Sequence, residues 1–148
     1  MPIYNDPDLI WRTLFLVLFT GVVSIIAFND VRTKEIPNVM VAALIPLSIM
    51  SVWLYPEISG ISRLVGLFTA SAPMLIMTLI WPKVFGGGDI KLYFVIGLVL
   101  TIQGIFLSIT IASAAALFYV LVFMKNKKQE IPFAPFIALG SLLAYTTS

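Results

Sequence analysis

The sequence predicts an all-α, polytopic membrane helix bundle of about six transmembrane helices, the fourth of them short. Composition is the first ground. The 148 residues are 60% hydrophobic and only 11% charged, with a mean hydropathy of +1.05. A soluble domain carries about 25% charged residues, so this chain lacks the polar groups to cover a globular surface. The second ground is pattern: long apolar runs alternate with short polar stretches, and a membrane-spanning helix needs about 20 apolar residues. The length suits one membrane-embedded unit covering residues 1–148.

Leu9 to Phe28 is the first run and is followed by the polar stretch Asn29 to Glu35. A cleaved signal peptide is the rival reading. Asp6 and Asp8 stand where a basic region belongs and no A-x-A site follows, so the run is read as a helix. Ile36 to Tyr55 is the second span and opens with Pro37, a residue suited to a helix start because its missing N–H costs nothing there. Ile61 to Trp81 is the third. Leu92 to Met124 would form a single helix of about 50 Å, too long for a hydrocarbon core of about 30 Å. The interruption at Thr101, Gln103 and Gly104 predicts a hairpin turning near Gln103-Gly104, with a short fourth helix and a full-length fifth. Ile131 to Tyr145 supplies the sixth.

Charge placement supports that hairpin. With six spans, Arg32, Lys34, Lys83, Lys91, Lys125, Lys127 and Lys128 share one side, and Arg12 and Arg63 share the other. The positive-inside rule makes the first side cytoplasmic and puts both termini outside. A single crossing over Leu92–Met124 would split the basic residues almost evenly and orient nothing. The net charge of +2 gives no ground for a nucleic-acid partner.

The residues that are missing narrow the chemistry. With no cysteine, disulfides, thiolate catalysis and cysteine metal sites are excluded. With no histidine, the histidine-dependent serine triads and H-E-x-x-H zinc sites are excluded too. Acids remain. Asp6, Asp8 and Glu57 fall on the outer side, and Asp30, Glu35, Asp89 and Glu130 on the cytoplasmic side. Asp30 follows the apolar end of helix one, and Asp89 follows Gly86-Gly87-Gly88 at the start of helix four. Acids at such boundaries tend to be functional when they face the bundle interior.

Each aspartate also has a plainer reading. Asp89 could be only the N-cap of helix four, and Asp30 could be a solvated partner of Arg32 or Lys34. As a pair they suggest more. The glycines let another backbone approach closely, and two carboxylates on one face can share a proton. The ionised member can then activate water while the protonated one donates to a carbonyl oxygen or leaving amine. Such peptide hydrolysis needs no metal and no cofactor.

Three segments carry a family resemblance. Asp30-Val31-Arg32-Thr33-Lys34-Glu35-Ile36-Pro37-Asn38 runs from an aspartate to an I-P-N, Gly86-Gly87-Gly88-Asp89-Ile90-Lys91-Leu92 is a G-x-G-D-x-K-L, and Ile131-Pro132-Phe133-Ala134-Pro135-Phe136 is an I-P-F-x-P-F. In this order they resemble the type IV prepilin peptidases, intramembrane aspartic proteases with a G-x-G-D signature. The resemblance implies that Asp30 and Asp89 are the catalytic pair. It also implies that the substrate is a prepilin-like precursor, cut between a short basic leader and an apolar helix at the cytoplasmic membrane face. Gly86, Gly88, Pro37, Asn38 and Lys91 become substrate-positioning or supporting residues, Lys91 having a second reading as a snorkelling anchor. Larger members add a cytoplasmic region with paired cysteines and N-methylate the product. The short loop and the lack of cysteine here resemble the compact, peptidase-only branch, without a separate methyltransferase domain.

Two other classes compete. A small channel or transporter could use the paired carboxylates as a cation site, with Gly86 to Gly88 as a backbone-lined element. A non-catalytic assembly partner could present Ala112-Ser113-Ala114-Ala115-Ala116 to another membrane subunit, although the same run can serve internal packing. Glycines beside one acid and a loop after the other also predict a resting state in which the carboxylates stand apart.

Overall fold

The computed structural model describes residues 7–82, 84–124 and 131–147, with the side chains of Pro7 and Asp8 left aside. Asp6, Lys83, Lys125, Lys127, Lys128 and Glu130 lie outside the described residues. Six helices make up the bundle: α1 (Pro7–Thr33), α2 (Asn38–Leu54), α3 (Gly60–Ile80), α4 (Gly87–Ile96), α5 (Ile102–Phe123) and α6 (Ala134–Thr147). Three of them, Leu9–Thr33 within α1, α3 and α5, are long and apolar enough to cross a membrane, and α2 and α6 are shorter apolar helices. The predicted class therefore holds: a helical membrane bundle with a short fourth helix.

The helices are apolar on most sides, and the bundle buries one stripe of each. Along α1, Phe15, Phe19, Val23, Ile26 and Asp30 are buried. Their spacing of three and four residues puts them on one helical stripe. Among the described residues α1 packs on α2 and α6, α6 on α5, α5 on α3, α3 on α4 and α4 on α2, which closes a ring of neighbours. A further contact between α4 and α6 draws the short helix inward. In the α5–α6 seam Gly140 lies against the Ser108 backbone, where a Cβ would clash. Ala112 and Ala116 are buried on the same side of α5. Ala112 and Ala116 of the small-residue run therefore serve internal packing, while Ser113 and Ala114 between them are exposed.

Side-chain contacts fix the two ends of the bundle. At one end Arg12 pairs with Glu57 at 3.4 Å, and the Tyr55 and Tyr145 hydroxyls hydrogen-bond to each other, which joins α1, α2 and α6. Arg63 is fully enclosed there. Its guanidinium donates to Ser51 Oγ at 3.0 Å, Ser51 O at 3.1 Å, Tyr55 O at 2.8 Å and Leu98 O at 2.8 Å. Sequence reasoning counts Arg63 only as an outer-side charge, whereas it is a clamp tying the end of α2, the start of α3 and the segment after α4.

Two boundaries differ from expectation. The hairpin turns at 97–101 and not at Gln103-Gly104, which belong to the first turn of α5. Thr101 supplies the reason, because its Oγ1 accepts the Gly104 N–H at 3.2 Å and caps α5. The residue read as an interruption is thus a helix start. Helix one also runs past Phe28 to Thr33. It ends on Lys34, which sits in the left-handed region at φ 55° while its N–H donates to Asp30 O at 2.8 Å. Asp30 therefore lies in the last turns of α1, not in the loop after it.

Candidate active site

The end of the bundle opposite Arg12 is built around Asp30 and Asp89. Asp30 completes the buried stripe of α1 and is 4% exposed, and Asp89 is 8% exposed. On α4 the helix starts from Gly86 as N-cap, which makes Asp89 the third helical residue. The plain N-cap reading of Asp89 is therefore corrected. A carboxylate in this first turn still benefits from the helix dipole, and the Asp89 N–H closes a turn to Gly86 O at 3.1 Å.

Connecting segments bring the two acids to the same end. After α1 the chain is knitted back on itself: Asn29 Nδ2 donates to Glu35 O at 2.9 Å, and the Glu35 N–H donates to Thr33 Oγ1 at 3.3 Å. That brace presents Ile36 to α4, where a Cβ on Gly88 would come within 2.6 Å of Ile36 Cβ. Gly88 is thus a close-approach glycine. Gly86 has less crowded surroundings, a Cβ there meeting Asp89 Oδ2 at 3.0 Å, and at Gly87 a Cβ would meet nothing within 4 Å among the described residues. Pro37 is the N-cap of α2 in extended backbone (φ −61°, ψ 137°), and Asn38 opens the helix. Lys91 Nζ donates to Asn38 Oδ1 at 2.9 Å, so two of the supporting residues read from the sequence touch each other and join α2 to α4.

The third motif segment enters at Asp30. The Ala134 N–H at the start of α6 donates to Asp30 Oδ2 at 2.9 Å, a helix N-terminus aimed at a carboxylate. Phe133 beside it packs on Phe85 with ring centroids 6.0 Å apart, which ties the α6 start to the loop before Asp89. Sequence reasoning matched this I-P-F-x-P-F segment without giving any of its residues a role. Backbone amides leave no composition signal, so only the segment's spacing pointed to it.

Among the described residues no hydrogen bond joins the two carboxylates, and Asp89 Oδ1 is buried without a partner. Asp89 stands ahead of the apolar run of α4 and outside the three long apolar helices. Burial pushes its carboxyl up to about 7, the Asp30 charge adds to the rise, and the Gly86 amide opposes it. At neutral pH such a group shares its proton between two states, which is the condition a general acid or base requires. The buried Tyr93 hydroxyl, one turn along α4 from Asp89, faces Ser108 on α5.

Comparison with known proteins gives the family. Residues 16–121 match the type IV leader peptidase family. The chain is 33% identical over 133 residues to the Prepilin leader peptidase/N-methyltransferase of Bacillus subtilis (strain 168). That alignment covers 87% of this chain and 54% of the relative, so the chain spans about half the length of the curated protein it matches. No solved structure matches. With the family match extending over most of α1 to α5, the chain belongs to the type IV leader peptidase family.

Proposed function

We propose that this protein is an aspartic endopeptidase that removes the leader from prepilin-like precursors, with Asp30 and Asp89 as the catalytic pair. The observation that carries this reading is that two buried carboxylates lie at the same end of a membrane bundle, with burial first and the Asp30 charge second in raising the Asp89 carboxyl. Asp30 is the ionised member, steadied by the Ala134 amide. It takes a proton from water as the oxygen attacks the scissile carbonyl. Asp89 is the protonated member and donates to the carbonyl oxygen. Collapse of the tetrahedral intermediate then breaks the C–N bond, and the departing amine takes up a proton from the pair.

The substrate is a chain with a short basic leader followed by an apolar helix, cut at the cytoplasmic border of the inner membrane. The positive-inside count supports a cytoplasmic site and external ends for α1 and α6. A cation site built on the same carboxylates is the competing reading, and the test separates the two. Cleavage of a co-expressed pilin-like precursor is scored by mass in membranes for the unaltered chain, Asp30→Asn and Asp89→Asn. Either change is expected to lower cleavage by about 10²–10⁴-fold at an unchanged protein level. Persistent cleavage in both variants overturns the assignment.

A further inference from the structure

Although α2 and α3 follow each other in sequence, among the described residues their backbones do not pack together, and the Arg63 side chain bridges them only at the far end of the bundle. The face of α4 lies between them. The result is an apolar groove of about 470 Å³ in the half of the bundle that holds the aspartates, walled by Ala42 and Ile45 on α2 and by Ala72 and Leu75 on α3, with Phe94 in its floor. Small residues in a wall allow a helix backbone to come close. At the mouth stands Lys91, whose ammonium is held by the neutral Asn38 amide and by no acid among the described residues.

We propose that this groove docks the apolar helix of the precursor, and that the chain then crosses the start of α4 over Gly87 to reach Asp89. The proposal rests on the leader-peptidase reading above and adds where the substrate lies. At about 100° per residue, Asp89 faces the bundle interior while Lys91 and Ile90 face the groove. Gly87, four residues before Lys91, shares its side. Gly87 is exposed, and among the described residues a Cβ there would meet nothing within 4 Å. A peptide leaving the groove can therefore lie against bare backbone at that point. Charge fits the same direction of travel. Lys91 at the mouth repels a basic leader from the groove, while the ionised Asp30 and the exposed Glu35 beyond it attract one.

The absence of cysteine from the chain gives a clean background for the test. Single cysteines are placed on the two groove walls, Ala42→Cys and Leu75→Cys, and on a lipid-facing position of α5, Leu117→Cys. All are made with Asp89→Asn so that the precursor stays whole. A co-expressed pilin-like precursor carries one cysteine in its apolar helix near the cut, and cross-linking is scored in membranes. The expected result is adduct from both groove positions at least ten-fold above Leu117→Cys. Equal yields at all three positions, or adduct at Leu117→Cys alone, or none at all, overturn the groove. Failure of the peptidase reading shows separately, as uncut precursor with the unaltered chain or continued cleavage with Asp89→Asn.

Discussion

Asp89 combines three conditions that oppose its ionisation or leave it unsupported: burial, the nearby Asp30 charge, and an Oδ1 with no partner. The raised value has consequences for both activity and stability. If the protonated form donates to the substrate, cleavage falls as pH rises through about 7, approaching ten-fold per pH unit beyond it. A pH–rate profile of precursor cleavage checks this, and a flat profile from pH 6 to 9 counts against the assignment. The stability effect has a definite sign. An unfolded aspartate titrates near 4, so between about 4 and about 7 the folded chain binds the extra proton and stability declines as pH rises. Asp89→Asn removes that decline. The variant is expected to melt higher than the unaltered chain at pH 8, by an amount corresponding to a few kcal/mol, with the gain fading towards pH 4. Thermal unfolding in detergent at the two pH values measures it. A variant that melts lower at pH 8 would mean that the carboxylate holds the site together.

At the scale of elements, the bundle depends on a few polar fasteners between apolar helices. Arg63 is the most heavily engaged, with four hydrogen bonds tying α2, α3 and the segment after α4. Breaking a buried charged network by removing one partner costs about 3–5 kcal/mol. Arg63→Ala is therefore expected to lower the melting temperature sharply while the aspartate end, lying at the other end of the bundle, loses activity only as the fold is lost. Cleavage per folded molecule at low temperature separates the two effects. The turn after α1 offers a change of opposite sign. Lys34 adopts a left-handed backbone, which costs a non-glycine residue about 1–2 kcal/mol. Lys34→Gly relieves that cost but makes the unfolded chain more flexible, so a rise in melting temperature corresponding to no more than about 1 kcal/mol is expected. A marked fall would show that the Lys34 side chain contributes contacts of its own.

At the scale of the whole molecule, the six helices and the gathering of both acids at one end were legible because they depend on hydropathy, charge placement and motif order. The inward aim of Asp30 was not: Phe15, Phe19, Val23, Ile26 and Asp30 share one buried stripe, but Leu14, Val17, Leu18 and Ile25 on the exposed side of α1 are just as apolar. The hidden parts depend on contacts between distant segments. Ala134 holds Asp30 through a backbone amide, which no side-chain pattern encodes. Thr101 looks like a break in an apolar run until its capping bond to Gly104 is seen, and Arg63 looks like a surface charge until α2 and the segment after α4 close around it. Orientation in the bilayer is the remaining whole-molecule property, and it follows from basic residues near helix ends. The Arg12–Glu57 pair marks one end of the bundle, and Glu35 lies at the other, in the brace after α1. Both Glu35 and Glu57 are exposed, and the chain has no cysteine of its own. In intact cells a membrane-impermeant maleimide is therefore expected to label Glu57→Cys directly, and Glu35→Cys only after the membrane is permeabilised. The reverse pattern would put the aspartates on the outer face, where a leader held in the cytosol could not reach them.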